Sequence, residues 1–178
     1  MLNEEAAVRA EPFILMTDTV TDLDDLVAHP DRYLVSMYAE PARAAELWHR
    51  RLRTAPYGSE GSLSLTYFGH ELLGPRLWDE VTGIWCALID TIADFTVAGA
   101  GERLFPGQPV PIRLERAGSR ALFSVNGTRT LVAPELFIPG VLTAAASYCR
   151  WVEEHVGASE SSLSAQTERL LQARETTG

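Results

Sequence analysis

The sequence predicts an α+β protein in which an antiparallel β-meander of about three to five strands packs against two long amphipathic helices, with further helices towards the N-terminus. Three observations carry this. Two hairpin signals, Gly118-Ser119 and Asn126-Gly127, follow one another between segments of strand character. Upstream of them Leu77, Val81, Ile84, Leu88, Ile92 and Phe95 recur at steps of three and four. Downstream, residues 139–156 repeat the same period.

Taken in order, residues 13–16 are a short apolar run that suits a strand. Thr21, followed by Asp22, Asp24 and Asp25, reads as a hydroxyl cap with carboxylates at the positive end of a helix. Within 31–39 the spacing of Tyr33, Leu34, Met37 and Tyr38 leans towards helix over strand. Pro41 opens a second helix over 42–53, with Leu47, Trp48 and Leu52 as its buried face. Alternation of Leu63, Leu65 and Tyr67 with Ser62, Ser64 and Thr66 makes 62–68 a half-buried strand.

Gly74 and Pro75 introduce the longest periodic helix, whose polar face gathers Asp79, Asp90 and Asp94 and which ends before Gly99. A long connection is expected over 99–109. Residues 110–116, Arg120–Val125 and Thr128–Val132 form the meander. Each two-residue turn fixes the register of its strands. Ile112, Leu114, Phe123, Val125 and Val132 therefore share the core face, and Arg113, Ser124 and Arg129 form an outer row beside Glu115, Leu122 and Leu131. The last core helix closes at Gly157. A single domain is expected over residues 1–157, followed by a Ser-rich tail, 158–178, in which Leu163, Leu170 and Leu171 suit the edge of a short helix.

A length of 178 residues suits one core, and 46% hydrophobic with 22% charged residues is globular usage. All 15 basic residues are arginine, and the formal net charge of -9 opposes nucleic acid and an anionic membrane surface. Glu4 and Glu5 stand where a signal peptide would be apolar, and Asp90 and Asp94 interrupt the longest apolar stretch. The expected compartment is the cytoplasm, with Cys86 and Cys149 as reduced, buried thiols.

Common chemistries meet specific obstacles. A calcium loop from Asp22 would need a ligand at Leu26 and a glycine at Val27. Gly99-Ala100-Gly101 follows a helix and has leucine at 104 where a dinucleotide fingerprint needs glycine. A chain without lysine has no P-loop lysine. Four histidines stand singly, so neither a metal nor a cofactor is expected.

The most enzyme-like group is Tyr67, His70 and Glu71 at a strand end. Arg50, Arg51 and Arg53 are a weak anion-binding candidate, set against the simpler reading that they complement a helix C-terminus. Leu104 and Phe105, in a segment that should cross the surface, either plug the core edge or anchor a partner. Leu122 and Leu131 need a cover, either the tail or a second copy. Trp48, Trp78, Trp85 and Trp151 suit the core better than a ligand pocket. On balance the expectation is a non-enzymatic protein that binds a protein partner or itself, one form of which is an immunity or antitoxin role against a basic partner. A small hydrolase or transferase using Tyr67, His70 and Glu71 is the alternative.

Overall fold

The computed structural model describes residues 6–157 and 161–176. Glu4, Glu5 and the first residues of the Ser-rich stretch, 158–160, lie outside the described residues. Among the described residues the fold is mixed α+β, with two antiparallel sheets and five α-helices where the sequence suggested a single meander.

Sheet 1 has the order β2-β1-β3-β4, with β5 also pairing with β3. Its strands are β1 (Val8–Leu15), β2 (Leu34–Ser36), β3 (Glu60–Tyr67), β4 (His70–Leu73) and β5 (Asp79–Glu80). β1 reaches well upstream of the apolar run at 13–16 because polar and apolar residues alternate across its pairing with β3, from Val8 opposite Tyr67 to Ile14 opposite Gly61. Pro12 sits inside this central strand. Its carbonyl accepts the Met37 N–H at 3.0 Å, so the amide it lacks also faces the β2 side, just past the Phe13–Ser36 pair where β2 ends.

The helix expected within 31–39 is instead a 3-10 turn (Pro30–Arg32) followed by β2. The reason is that both faces of β2 are buried. Leu34 belongs to a small cluster with Leu15 and Leu26, and Val35 belongs to the main core. Adjacent apolar residues on opposite faces mimic a helical repeat.

Helix α1 (Leu23–Ala28) is capped by Asp22, one residue after the expected Thr21, with the Asp22 carboxylate accepting the Asp25 N–H at 2.9 Å. Helix α2 (Pro41–Leu52) buries Ala44, Leu47 and Trp48, whereas Leu52 is exposed. Helix α3 (Val81–Ala98) begins later than Pro75. Pro75–Leu77 is a 3-10 turn and Asp79–Glu80 pairs with the start of β3. Asp79 is consequently not on the face of Asp90 and Asp94. It is buried and accepts the Gly107 and Glu80 N–H groups.

Sheet 2 runs β6-β7-β8-β9, formed by Ala100–Leu104, Pro111–Ala117, Arg120–Val125 and Thr128–Val132. Its register is the one the two turns dictate, and Ile112, Leu114, Phe123, Val125 and Val132 are all buried. β6 replaces most of the expected long connection. Gly99 ends α3 with φ 77°, and the chain turns straight into a strand held by β7. Arg103 faces back to α3, where it meets Asp94 at 2.6 Å and Asp90 at 4.0 Å.

Helix α4 (Pro134–His155) starts five residues before the expected Pro139, which stands in its second turn. Loss of one amide that near a helix start removes a single intrahelical bond. Helix α5 (Ser161–Glu175) packs on α4 and α3 and buries Leu163 and Thr167. α4 lies on β1 and α3 on β6 and β7, so one continuous core joins both sheets. By length and composition α3 could cross a membrane, but half of that span is buried inside the protein.

Candidate functional site

β1 and β3 turn Arg9, Glu11, Ser64 and Thr66 to the outer face of sheet 1, as the pairs Arg9–Thr66 and Glu11–Ser64. At one end of that face the small cluster around Leu15, Leu26 and Leu34 forms a lid with Phe13 and Tyr33. The other end is open. There a cavity of about 760 Å³ is lined by those four residues together with Tyr38 and Phe68.

The floor is hydrogen-bonded in place. The Ser36 hydroxyl donates to Glu11 Oε1 at 2.5 Å and accepts the Ala39 N–H at 3.0 Å. This holds the segment that carries Tyr38. Burial, then the neighbouring Cys149 and Glu11, push the Tyr38 hydroxyl up to about 12 against the opposing effect of Arg150. Tyr38, 40% exposed beside the cavity, is like any tyrosine a neutral phenol across the physiological range and can donate a hydrogen bond.

Phe68 and Gly69 form the two-residue turn joining β3 to β4, with φ 46° and 78°. Both positive values mark a type I' turn, where Asn, Asp or Gly is usual in the first position. A phenylalanine in this left-handed region is strained. It is nevertheless 56% exposed, and within the chain it meets the Tyr67 ring edge-on at 4.7 Å. Sequence reading missed this hairpin because Phe-Gly is not a turn dipeptide.

The catalytic candidates are not gathered into a site. Tyr67 points into the core, and its hydroxyl accepts the Ala133 N–H at 3.0 Å. His70 is its cross-strand neighbour but, like Glu71, is exposed. Arg50, Arg51 and Arg53 do line one surface cavity, of about 600 Å³, together with Asp18. Arg51, however, is committed to the backbone. It donates to the carbonyls of Leu15 (2.7 Å), Gly58 (3.2 Å), Thr17 (3.3 Å) and Glu60 (3.4 Å), while Arg50 donates to that of Met16 (3.2 Å). Burial lowers the pKa of Arg51.

Phe105 is buried and plugs the core edge, whereas its neighbour Leu104 is exposed. Leu122 is half-buried and Leu131 exposed on the outer face of sheet 2, which α5 does not cover. Trp48, Trp85 and Trp151 belong to the core, and Trp78 packs on the small cluster. Cys86 and Cys149 are not joined in a disulfide, and the first is half-buried and the second buried.

A buried polar network was not legible in the sequence. The Ser59 hydroxyl donates to Glu80, whose other oxygen accepts the Gly83 N–H at 2.6 Å. Thr82 joins Ser59 at 3.2 Å and the Tyr148 hydroxyl at 2.7 Å. These bonds fasten the start of α3 to β3 and α4. Glu60 lies opposite Glu80 across the β3–β5 pair, and burial, assisted by Asp79 and opposed by Arg51, raises its pKa.

A carboxyl whose folded pKa is raised costs nothing while it is protonated in both states, and it destabilises the fold as pH rises from the unfolded value through the folded one. Glu60→Gln is expected to unfold at higher urea than wild type at pH 7, with the gap closing towards pH 4. Equal midpoints at pH 7 would contradict this.

Among the described residues, no group of three or more His, Cys, Asp or Glu side chains is placed to hold a metal ion. No protein-family model matches the chain, and no curated protein or solved structure is significantly similar to it.

Proposed function

We propose that the chain is a non-enzymatic binding protein that takes a segment of a protein partner in the groove of sheet 1, between Tyr38 and Phe68. The observation that carries this reading is Phe68, which is held in a left-handed conformation at the first turn position and is largely exposed beside the cavity. Folding alone favours asparagine or glycine there by about 1 kcal/mol. A strained, exposed aromatic has its rationale in contact with something else, and aromatic side chains are the usual anchors of interfaces.

Opposite charges at Arg9 and Glu11, with the hydroxyls of Ser64 and Thr66, supply polar groups to orient a bound backbone. The net charge of -9 favours a basic partner, as an immunity or antitoxin role would require. Cys86 and Cys149, outside any disulfide, suit the cytoplasmic residence proposed with it.

The test uses peptides selected from a displayed random library for binding to the wild-type chain. Phe68→Asn is expected to raise the melting temperature while weakening those peptides by about tenfold or more, an anchor's contribution. Tyr38→Ala should weaken them too, and Arg53→Ala, at the other cavity, should not. Peptides that bind Phe68→Asn as well as wild type, or a library that yields no binder, would end this reading.

A further inference from the structure

The outer face of sheet 2 is a second surface, separate from the groove. Helix α3 packs on the core side of this sheet, as does α4 through Phe137 against Phe123. Register across the four strands arranges the outer side chains in rows. One reads Glu102, Arg113, Ser124, Arg129 and the next reads Ala100, Glu115, Leu122, Leu131, each from β6 to β9. Arg113 is tied to Glu102, and reaches Glu115 at 3.8 Å. Arg129, at the far edge, has no hydrogen-bond or ion-pair partner among the described residues, and Leu131 beside it is 52% exposed.

We infer that this face is the contact between two copies of the chain, packed about a two-fold axis that runs along the strands between β7 and β8. Such an axis places β6 of one copy over β9 of the other, with each row facing itself in reverse. Glu102 then meets Arg129 of the second copy, twice over. Ala100 meets Leu131, a small side chain under a large one, also twice, and Leu122 covers the aliphatic stem of Glu115. Like charges do not meet. A self-complementary row of this kind is what a closed two-fold contact requires.

The geometry tolerates the twist of sheets. Aligned sheets cross at about 30°, and the row ends lie about 7 Å from the axis at strand spacings near 4.8 Å, so the crossing displaces them by about 4 Å, within reach of Arg and Glu side chains. Glu102 retains acceptor capacity beyond Arg113, since a carboxylate has about four lone-pair sites. The face is small, on the order of 400 Å² per copy in projection. That lies below a standard interface and implies a dimer in rapid exchange, with dissociation in the micromolar range.

Sedimentation equilibrium tests it. The wild-type mass should rise from 19.6 kDa towards twice that value with concentration, and the rise should weaken in high salt. Glu102→Arg and Arg129→Glu, each alone, should stay monomeric, with association weakened about tenfold or more, because each sets two like pairs face to face. Mixed in equal amounts, the two variants should associate with one another, since both contacts then pair Arg with Glu. Thermal melts of each variant establish that it is folded. If Glu102→Arg disturbs β6, Glu102→Gln with Arg129→Gln takes its place, and both should weaken association equally. A wild-type chain that remains a monomer to about 1 mM, or variants that do not associate on mixing, would overturn the inference. So would an Arg129→Glu chain that dimerises as wild type does.

Discussion

Phe137→Ala is expected to cost about 3–5 kcal/mol, a large fraction of the roughly 5–15 kcal/mol stability of an ordinary domain. Phe137 is buried near the start of α4, with the Tyr67 ring of sheet 1 at 5.8 Å and the Phe123 ring of sheet 2 at 5.3 Å. It is a direct aromatic contact to both sheets. Its removal opens a cavity between them and cannot be repaired by movement of one sheet alone, because α4 is fixed on β1 and, through Tyr148 and Thr82, on α3. Phe137→Leu, which keeps most of the volume, should cost about 1.5 kcal/mol or less. The check is urea unfolding followed by circular dichroism, with tryptophan fluorescence as a second probe. Coincident transitions in the alanine variant would show that the sheets still unfold together. A loss below about 1 kcal/mol would mean that the aromatic contact does not join them.

A comparable loss is expected from Gly101→Val, by a different route. A Cβ at this position would stand 2.2 Å from the Thr91 carbonyl oxygen of α3. Backbone, not a movable side chain, occupies the space, so β6 must separate from the helix or from β7. The expected cost is about 3 kcal/mol, the upper end for overpacking. Hydrogen exchange should show the loss concentrated in the amides of Ala100–Leu104 and their partners on β7. Unchanged protection there would remove the close approach from the account of β6.

Much of sheet 2 could be read from the sequence because its signals are local. Gly118 and Asn126-Gly127 set two turns, and from them every face of β7, β8 and β9 follows by counting. β6 was missed for a physical reason. Ala100, Gly101 and Glu102 have little intrinsic strand character, and the strand exists because β7 is beside it and Gly101 lets α3 approach. Sheet 1 was illegible as a sheet because its pairings, apart from the β3–β4 hairpin, are distant in sequence: Phe13 lies between Ser36 and Ser62. The same holds for the groove. Tyr38, Arg9 and Thr66 meet only once the sheet is built, and Phe68 carries no pattern of its own. Of the residues that did stand out, Glu71 is set by alternation on the face opposite Tyr67, and His70, although paired with Tyr67, stands exposed at the hairpin end. Arg51 looked like one charge among several, and the need for a guanidinium there becomes visible only when the carbonyls of Leu15, Thr17, Gly58 and Glu60 converge on it.

The place of β1 has a consequence for synthesis. Of the described strands β1 leaves the ribosome before its neighbours although it is a central one, and its partner β3 ends at Tyr67, while α4, which covers it, begins at Pro134. At roughly 5–20 residues per second, the apolar segment of Phe13, Ile14 and Leu15 waits several seconds for its neighbour and roughly twice as long in all for its cover. Sheet 2, assembled from adjacent strands, has no such delay. The nascent chain is therefore most open to chaperone capture or misassociation over the interval between these two events, and a translational pause placed before residue 134 should lengthen that exposure, whereas one placed after all of α4 has left the ribosome should not.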